Sequence, residues 1–482
     1  IYSSSIDNFK FQINKVKFKS NLNKLKDVYR KLSVPQFTIV TGLFIIVFGT
    51  LILSSPLCSS AKVGLWEAFF TSTSAITVTG LTIIDIGVDL NLFGQVFLAF
   101  MLLSGGLGLM AITTFLQGFV VKGTQLRTRL DKGKTLDEFG VGGIGRTFQS
   151  IAITATCIIS FGAIVLYSFG FVDIQNNWER LWSSIFHSIS AYNNAGFSLW
   201  SNSIQDYRTN FLVNSVFVFL VIMGGLGWRV IDDIWRNKNN LSYKKLSLHS
   251  RLVIRTSLSL ILFGSLGFFI TETLLNSKFF NDLNLFEKLL SSVFETVSAR
   301  TAGFTNFPIS LNSISDTGLL LLMTLMFIGA SPGGTGGGIK TTTFIALMAS
   351  TRSTLRGQKD VIISNRLISD KVILKAVGIT VGSLLFVLLM AMVLSTTNAF
   401  VKKESFTFLE ILFTCISAFA TVGFDIGLTA KLNHFGQFIL ILGMFVGRLG
   451  ILLLLSALWQ SLYKSRIDRQ KRIGYPKADL YV

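Results

Sequence analysis

The segment FFTSTSAITVTGL, residues 69–81, contains a serine–alanine pair followed by a glycine, and this pattern recurs three more times along the chain. The other copies are SIFHSISAYNNAGF (184–197), SSVFETVSARTAGF (291–304) and LFTCISAFATVGF (412–424). Their glycines are Gly80, Gly196, Gly303 and Gly423, at intervals of 107 to 120 residues. Self-similarity at a regular interval indicates one structural unit repeated along the chain. The sequence therefore predicts four related units.

The composition is that of a membrane protein. Of the 482 residues, 50% are hydrophobic and 14% are charged, and the mean hydropathy is +0.59. Long apolar windows occur eight times, and two of them carry one embedded charge each, Glu272 and Arg448. Such windows are long enough to cross a bilayer as helices. The windows are 32–61, 90–121, 147–172, 209–228, 256–271, 317–339, 376–401 and 432–447, of which the fifth extends through Glu272 and the eighth to Tyr463.

The basic residues decide how the repeated segments cross the membrane. Most Lys and Arg residues lie in five clusters, at 1–33, 122–146, 236–255, 352–375 and 464–477. Cytoplasmic loops carry such an excess, so the clusters belong on one side and both termini are predicted to be cytoplasmic. All five share a side only if each unit crosses twice, so the segments with the glycines must be re-entrant. The net charge of +19 then reflects acidic lipid headgroups, and nucleic-acid binding is not expected.

The predicted fold is an all-α integral membrane protein of four pseudo-symmetric repeats around a central ion pore. Each repeat is a helix, a re-entrant pore helix with its loop, and a second helix, which gives eight spans. A glutamate opens each short segment, where a carboxylate favours the positive end of a helix. The predicted divisions are a basic cytoplasmic N-terminus (1–33), repeat 1 (34–121), repeat 2 (147–235), repeat 3 (251–347), repeat 4 (371–463) and a cytoplasmic C-terminal tail (464–482).

The four glycines have a physical use in such a fold. Backbone outside a helix is tolerated at membrane depth only inside protein or beside a watery cavity. Glycine permits backbone angles that a side chain forbids, so four loops on one axis can direct carbonyl oxygens inward. A ring of carbonyls can replace the water shell of an alkali cation. The alternative is that each glycine only caps a helix in the left-handed conformation, and four copies between spans favour the ring.

These motifs closely resemble those of the Trk/Ktr/HKT superfamily of potassium transporters. The lack of an extra helix pair before residue 32 and the tail YPKADLYV are most similar to its KtrB-type membrane subunits. The resemblance extends from about residue 35 to the end of the chain. FIGASPGGTGGGIKTTTF (327–344) is similar to the gating loop of that family, and MFVGRLG (444–450) to its arginine-bearing last helix. One departure is Trp228 and Arg229 after the second GGLG motif, where the family more often has apolar residues or proline.

The resemblance implies an ion selectivity filter in which K+ binds backbone carbonyls of four loops. The predicted filter residues are Thr77, Val78, Thr79, Gly80, Asn193, Asn194, Ala195, Gly196, Arg300, Thr301, Ala302, Gly303, Ala420, Thr421, Val422 and Gly423. Glycine at all four filter positions implies a preference for K+, because relatives with serine in the first loop tend to carry Na+. A Na+ or non-selective monovalent cation transporter of the same superfamily is the alternative.

The segment GASPGGTGGGIKTTT (329–343) also fits a pore, and not a nucleotide site. A phosphate-binding loop has its lysine directly after the last glycine, whereas Ile339 separates Gly338 from Lys340. An ATP-hydrolysing pump or other enzyme is therefore not expected. Proline and glycines predict a break in the second helix of repeat 3, a loop that closes the path and moves aside to conduct. The predicted gate residues are Gly329, Ser331, Pro332, Gly333, Gly334, Thr335, Gly336, Gly337, Gly338, Lys340 and Arg448.

Further expectations concern individual gate and filter side chains. Water is expected to satisfy the hydroxyls and amides of the 329–340 segment, and Lys340 to extend toward the cytoplasmic end. An arginine embedded in a membrane is costly unless it has a partner or a wet cavity, so Arg448 is predicted to donate to carbonyls of that segment and to repel cations. Arg300 is expected to point away from the axis, against Glu295, which could instead be a neutral pore-helix residue.

Two carboxylates and the partners complete the expectations. Asp85 and Asp425 follow glycines and would give the outer mouth a negative field, or be solvated loop residues.

The family implies a homodimer with one pore per protomer. It also implies a cytoplasmic nucleotide-binding ring of the RCK type (KtrA/TrkA-like), so no nucleotide binds this chain. The expected transported ion is K+, with Na+ as a possible coupling ion. The protein is expected to be a multi-pass protein of the cell (inner) membrane, in contact with membrane lipids.

Overall fold

The computed structural model describes residues 34–59, 63–108, 141–238, 243–275, 278–281, 283–310, 313–358, 360–400 and 406–451. Predictions for 1–33, for the cluster residues 122–140 and for the tail 464–482 lie outside these residues. Residues 44–452 cluster into one compact unit.

The first two predicted repeats each contain a long helix, then a short helix, then a second apolar helix. In repeat 1 they are α1 (Val34–Leu53), α2 (Leu65–Thr77), α3 (Ile86–Asp89) and α4 (Leu92–Leu103), which continues as a π-helical turn, Ser104–Gly108. In repeat 2 they are α5 (Val141–Val165) with a π-helical turn (Leu166–Gly170), α6 (Asn177–Tyr192), a 3-10 turn (Gln205–Tyr207), α7 (Phe211–Leu226) and α8 (Trp228–Arg236).

The other two predicted repeats follow the same order. A 3-10 turn (Tyr243–Lys245) precedes α9 (Leu248–Leu274), α10 (Lys278–Asn281), α11 (Leu285–Ala299), α12 (Asp316–Phe327) and α13 (Thr341–Leu355). A small hairpin then pairs β1 (Ile362–Ile363) antiparallel with β2 (Arg366–Leu367), with Ile362 opposite Leu367. The last helices are α14 (Asp370–Phe400), α15 (Phe408–Ala420) and α16 (His434–Leu449).

Four short helices, α2, α6, α11 and α15, carry the repeated Ser-Ala motif. They have 13 to 16 residues and are therefore roughly 20–24 Å long, less than the ~30 Å of a bilayer core. The predicted glutamates are Glu67, Glu179, Glu287 and Glu410, each the third residue of its helix. Glu287 and Glu410 form capping boxes with Asn284 and Thr407, which satisfy free amides at the helix start.

The second helix of each unit begins with a side-chain cap that the sequence reasoning missed. The caps are Asn91, Asn210, Ser315 and Asn433, and each side-chain oxygen accepts from an amide of the first turn. These residue types are the preferred N-caps because they satisfy donors that have no partner within the helix. The return from each glycine loop into the second helix is thus set by local chemistry in all four units.

Within the described residues, helices long and apolar enough to cross a membrane are Gln149–Gly170, Leu248–Leu274 and Asp370–Thr396. A bent pair, Phe211–Leu226 with Trp228–Arg236, would add a fourth. The other apolar helices offer shorter stretches, and α12 ends at the predicted break. These stretches are Thr38–Leu53, Leu92–Gly108, Asp316–Phe327, Phe408–Ala420 and His434–Leu449. The helical, multi-pass character of the chain agrees with the sequence, and the number of eight spans stays a prediction.

Candidate functional site

The residues before each of the four repeated glycines adopt the same unusual backbone. Gly80, Gly196, Gly303 and Gly423 all have positive φ, between 70° and 97°. The residue two positions earlier in each loop is also left-handed: Val78 (φ 56°), Asn194 (57°), Thr301 (80°) and Thr421 (52°). Left-handed backbone is uncommon for residues with side chains. Its recurrence at one position in four loops shows that these loops share a left-handed turn before the glycine.

The four glycines lie next to one another in a closed ring. A methyl group added at Gly80 would lie 3.1 Å from the Cα of Gly196, and one at Gly196 would lie 3.1 Å from the Cα of Gly303. The same holds from Gly303 to Gly423 and from Gly423 back to Gly80, again at 3.1 Å. Each added methyl would also collide with a neighbouring carbonyl, of Ala195, Ala302, Val422 and Thr79 in turn. Backbone from four separate segments therefore meets in one closed ring, with a carbonyl of each loop beside the glycine of a neighbouring loop.

The serine of each Ser-Ala pair folds its loop back onto the short helix. The carbonyl oxygens of Ser74, Ser190 and Ser417 accept from the amide five residues later, at 2.8 to 2.9 Å, and that of Ser298 accepts from Ala302, four residues later, at 2.8 Å. Loop 3 is shorter because one residue fewer separates Ser298 from its glycine than in the other copies. The motif thus has a structural role that its repetition alone did not disclose.

The serine hydroxyls act on the same turns. The Oγ of Ser190 donates to the carbonyl oxygen of Phe197 (2.7 Å), and the Oγ of Ser298 donates to that of Phe304 (2.5 Å). In loop 1 the amide of Gly80 donates to the Oγ of Ser74 (3.1 Å). The Oγ of Ser417 is buried and has no hydrogen-bond partner among the described residues. Three of the four loops are therefore held by a serine hydroxyl, which in loop 1 bonds the ring glycine itself and in loops 2 and 3 bonds the residue after it.

The residue after each glycine anchors the loop in the interior. These residues are Leu81, Phe197, Phe304 and Phe424, and none is more than 1% exposed. Large apolar side chains that leave water contribute about 1.5–3 kcal/mol each. The predicted loop residues before the glycines are also buried, including both asparagines of loop 2, except Arg300, which is half-buried. The carbonyl ring is thus held from behind by packed side chains.

Glycines of the second helices approach the same loops closely. Carbons added at Gly105, Gly224 and Gly447 would overlap the carbonyl oxygens of Ile76, Tyr192 and Phe419, each of which lies four residues before its ring glycine. Repeat 3 differs, because there Gly336 lies against Thr301 and Gly337 against Thr421. These glycines permit backbone contact that any side chain would prevent.

The predicted break in the second helix of repeat 3 is present. Helix α12 ends at Phe327 and α13 begins at Thr341; residues 329–340 between them are called the break segment. The first non-helical residue, Ile328, lies four residues before Pro332, which is where a proline ring clashes with helical backbone. The break segment is buried beside residues Tyr192, Thr301 and Thr421 of loops 2 to 4. It therefore lies against the ring, on the side of the residues that precede the ring glycines.

The expectation that water satisfies the polar groups of the break segment is wrong for several of them. The amide of Ser331 donates to the carbonyl of Gly225 (3.0 Å), and that of Thr335 donates to Gly224 (3.1 Å). The hydroxyls of Ser331 and Thr341 bond each other (2.9 Å), and that of Thr335 donates to the Tyr192 carbonyl (3.3 Å). The glycines of α7 allow this close approach, so protein groups replace the expected water.

Lys340 also differs from its expectation. Its Nζ atom does not extend toward a cytoplasmic end but donates to the carbonyl oxygen of Gly336 (2.6 Å), within the break segment itself. A free backbone carbonyl four residues away is a near and favourable partner for an ammonium group in a poorly hydrated site. The lysine therefore places its charge close to the ring of glycine loops.

Arg448 makes the hydrogen bond that was predicted for it. One guanidinium nitrogen donates to the carbonyl oxygen of Thr335 in the break segment, and the other donates to that of Gly105 (2.8 Å). Gly105 belongs to the second helix of repeat 1, so this side chain ties repeat 4 to repeats 1 and 3. Its role as a gate remains a prediction.

Arg300 points away from the ring, but its expected partner is wrong. Its guanidinium donates to the Oγ of Ser257 on α9 at 3.4 Å and lines a cavity of about 20 Å³. The carboxylate of Glu295 instead accepts from the amide of Asn306 at 3.0 Å. Residues five apart do not share a helix face as residues three or four apart do, so the two side chains diverge.

The carboxylates near the loops cap turns. The side chain of Asp85 accepts from the amides of Gly87 (3.0 Å) and Val88 (3.3 Å) and from the hydroxyl of Ser201. Asp425 accepts from the amides of Leu428 (3.2 Å) and Thr429 (3.3 Å). Both therefore have structural partners, and a field at the outer mouth stays a prediction.

The embedded Glu272 has a role that sequence reasoning did not find. It is 1% exposed and accepts from the hydroxyl (2.6 Å) and the amide (3.2 Å) of Ser315, the cap of α12. A negative group near a helix start is favourable. A single charge within an apolar window indicated that Glu272 needs a polar partner. The sequence did not identify that partner, because Ser315 lies 43 residues later.

Comparisons with known proteins identify the family of this chain. The family described as "TrkH: Cation transport protein" matches residues 35–459. The chain is 34% identical over 449 residues to the Ktr system potassium uptake protein B of Bacillus subtilis, covering 93% of this chain and 96% of that protein. It is 33% identical over 445 residues to the potassium/sodium uptake protein NtpJ of Enterococcus hirae, covering 90% and 95%.

A solved structure has a similar fold. The crystal structure of the potassium transporter TrkH from Vibrio parahaemolyticus aligns with a TM-score of 0.70 at 18% sequence identity. The alignment covers 89% of this chain and 85% of the other. At this identity the likeness concerns the fold.

Proposed function

The chain belongs to the TrkH family of cation transport proteins, and from this premise we propose that it is the K+-translocating pore subunit of a Ktr/Trk-type potassium uptake system. The family is one of multi-pass membrane transporters and not of enzymes. Its relatives in Bacillus subtilis and Vibrio alginolyticus are potassium uptake proteins by name, and the extent of the match supports the same cargo here.

The observation that carries the proposal is the closed ring of Gly80, Gly196, Gly303 and Gly423. Carbonyl oxygens that converge from four segments can substitute for the water around a dehydrated K+ ion. The short helices direct their C-terminal ends, which carry partial negative charge, toward the ring. The left-handed residues at the second position before each glycine supply the repeated backbone turn that such coordination needs. The filter is therefore residues 77–80, 193–196, 300–303 and 420–423.

The break segment is the gate in this proposal. It lies against the side of the filter that is formed by the residues preceding the ring glycines. Two cationic side chains, Lys340 and Arg448, donate hydrogen bonds to its carbonyls. Positive charge beside a narrow path raises the free energy of an entering cation. Conduction then requires the segment to leave its bonds with Gly224 and Gly225 of α7. Gating and selectivity are thus carried by separate but touching parts of the chain.

The proposed setting is a cell (inner) membrane with both termini in the cytoplasm. We place the chain in a homodimer, one pore per protomer, with an RCK-type cytoplasmic nucleotide-binding ring as regulator and K+ as the transported ion. The resemblance of the sequence motifs to KtrB-type subunits implies this assembly. Exposed apolar residues such as Phe44, Phe100 and Phe263 suit contact with lipids.

A second candidate is transport of Na+ together with or in place of K+. The relative in Enterococcus hirae is a potassium/sodium uptake protein by name, and a more distant one in Arabidopsis thaliana, 24% identical, is a sodium transporter. The same ring could pass Na+ if its opening admitted a partly hydrated ion. Gly80 is the feature of this chain that favours K+, because relatives with serine at this position tend to carry Na+.

The test is ion uptake in cells that lack their own potassium systems. The wild-type chain is expected to restore K+ uptake and to take up less Na+. The Gly80→Ser variant is expected to lower the K+/Na+ uptake ratio, because a side chain there collides with the Ala195 carbonyl. Gly378→Ser on α14 is the matched control, since none of the described residues has an atom within 4 Å of its added carbon.

Equal Na+ and K+ uptake by the wild type would favour the second candidate. A K+/Na+ ratio indifferent to Gly80→Ser would count against the ring as filter even if K+ uptake is restored. Failure to restore uptake of either ion, with the protein present in the membrane, would contradict the proposed function.

A further inference from the structure

Helix α8, Trp228–Arg236, follows the second helix of repeat 2 at an angle of 93°. The corner is Gly227, with φ 89° and ψ 143°, a conformation that only glycine adopts readily. If α7 crosses the membrane, a helix perpendicular to it must lie along the membrane surface. Since six basic residues follow within 236–255, this surface is the cytoplasmic one.

The composition of α8 suits such a position. Its Val230 is fully buried, and Asp233 accepts from the amide of Ser247 at 2.9 Å, so one side is fixed to the start of α9. The opposite side presents Trp235, 68% exposed, with the Nζ of Lys238 at 4.6 Å from the centre of its ring. Tryptophan beside lysine or arginine is typical of helices at the headgroup level of a membrane.

The local charge is strongly positive. Residues 228–255 contain seven basic and two acidic residues. Both acidic residues have partners: Asp232 pairs with Arg236 at 2.9 Å, and Asp233 accepts from Ser247. The remaining positive charge attracts acidic lipid headgroups, whose effect falls off within about a nanometre of the surface.

The corner of α7 and α8 contacts the break segment directly. The amide of Trp228 donates to the carbonyl of Gly333 at 3.1 Å. A methyl group added at Gly227 would lie 2.8 Å from the carbonyl oxygen of Pro332. The preceding residues, Gly224 and Gly225, accept from Thr335 and Ser331. A displacement of α8 along or into the membrane therefore changes the position of backbone that holds the break segment.

We propose that α8 is a lipid-sensing helix whose Trp235 and Lys238 face binds the headgroups of acidic phospholipids and, through Gly227 and Trp228, controls the break segment. The proposal rests on the function proposed above, because the break segment must act as the gate. The perpendicular geometry and the exposed tryptophan favour a membrane surface over a cytoplasmic protein as the occupant of this face. Headgroup composition thereby becomes an input to K+ flux.

The experiment reconstitutes the full chain in vesicles of phosphatidylcholine alone or with phosphatidylglycerol and measures K+ flux. For the wild type the flux in the two compositions is expected to differ by roughly fivefold, the factor that one basic residue at an acidic surface supplies. The double variant Trp235→Ala, Lys238→Gln is expected to bring the ratio of the two fluxes close to one. The control Arg366→Gln, Lys371→Gln removes cations elsewhere and is expected to keep the wild-type ratio.

A second pair of variants tests the link to the gate. Gly227→Ala is expected to reduce the dependence on phosphatidylglycerol, because the added carbon presses on Pro332 and Gly333. Gly450→Ala is the matched control: Gly450 has a similar backbone, φ 83° and ψ 132°, but no atom of the described residues lies within 4 Å of its added carbon. Loss of lipid dependence in both variants alike would show that backbone strain, and not this contact, is responsible.

Wild-type flux that is equal in both compositions would overturn the inference while leaving the proposed function intact. The inference also fails if the Trp235, Lys238 variant keeps the full wild-type flux ratio. It fails as well if the variant and the wild type differ only after a cytoplasmic ring protein is added. Absence of K+ flux in every vesicle would instead count against the proposed function itself.

Discussion

The guanidinium of Arg448 donates a hydrogen bond to the carbonyl oxygen of Thr335. The two residues are 113 positions apart, one at the end of α16 and the other in the break segment. The same side chain also holds the Gly105 carbonyl. The contact therefore joins three of the four units at the proposed gate.

Replacing Arg448 by alanine should open the gate. A hydrogen bond from a charged donor contributes about 1.5–3 kcal/mol, so its loss is expected to raise the open population by roughly tenfold or more. K+ flux in vesicles, measured without any added regulator, should rise accordingly. Arg448→Lys keeps the charge but cannot reach both carbonyls with a rigid fork, and should give an intermediate flux.

Arg356→Ala is the control for this change, because Arg356 is exposed and follows α13. Its flux should equal that of the wild type. Unchanged K+ flux and affinity in Arg448→Ala would show that the contact with Thr335 has no part in gating.

Alanine at Gly196, Gly303 or Gly423 should impair K+ selectivity in each case. The added methyl meets the next glycine of the ring at 3.1 Å, and forced left-handed backbone costs about 1–3 kcal/mol. Gly357→Ala separates the two effects, because Gly357 has φ 65° but, in the part of the chain that the structure describes, no atom within 4 Å of its added carbon. The K+/Na+ uptake ratio should fall for the three ring variants and not for Gly357→Ala; a fall in only one of the three would contradict a shared ring.

The serine hydroxyls behind the loops offer a sharper comparison. Ser190→Ala and Ser298→Ala each remove a hydrogen bond to a loop carbonyl, which is expected to cost about 1 kcal/mol and to lower the unfolding temperature. Ser417→Ala is matched in position and burial, but its hydroxyl has no partner within the described part of the chain, so it should be neutral or slightly stabilising. Thermal unfolding in detergent measures all three, and equal effects would contradict the hydroxyl role.

Alkaline pH should loosen the outer segment around Tyr207, which lies between α6 and α7. Burial raises the pKa of the Tyr207 phenol, and the nearby Asp173 and Asp206 raise it further. An acid with a raised pKa favours its neutral form in the folded state. Its contribution to stability is therefore present below the unfolded pKa, about 10, and is lost as pH rises through the folded value.

Tyr207→Phe removes this titration and should flatten the fall of the unfolding temperature above about pH 10. The ring of Trp200 lies 5.4 Å from that of Tyr207, so tryptophan fluorescence can follow the transition. Tyr243→Phe, at an exposed tyrosine, should keep the wild-type profile. A profile for Tyr207→Phe as steep as that of the wild type would count against the assignment.

Local patterns in the sequence predicted the four loops and the break, whereas distant pairings needed the structure. Glycine and proline act through their own backbone, so their positions alone predicted turns at Gly80 and a break before Pro332. The embedded Arg448 required a polar partner, and the carbonyl-rich segment at 329–340 was the plausible one. Lys340 was misjudged because flexible side chains can turn either way, and only the packed structure shows that the Gly336 carbonyl is within reach.

Pairings across helices failed for the same reason. Arg300 was matched with Glu295 from proximity in sequence, but its neighbours are set by how α9 packs on α11. Ser257 lies 43 residues before Arg300, and no spacing rule connects them. The order in which the ring glycines touch, with loop 4 closing on loop 1, likewise follows from tertiary packing.

Glu272 and Ser315 provide the last test, because their hydrogen bonds join the first and second helices of repeat 3. Glu272→Ala leaves the amide and hydroxyl of Ser315 without their acceptor, and Ser315→Ala removes both a partner of Glu272 and the cap of α12. Each variant should lose about 1–3 kcal/mol of unfolding free energy. The double variant should lose less than the sum, because both single changes delete the same bond. Thermal and denaturant unfolding in detergent would measure this cycle, and strictly additive losses would show that the two side chains act independently.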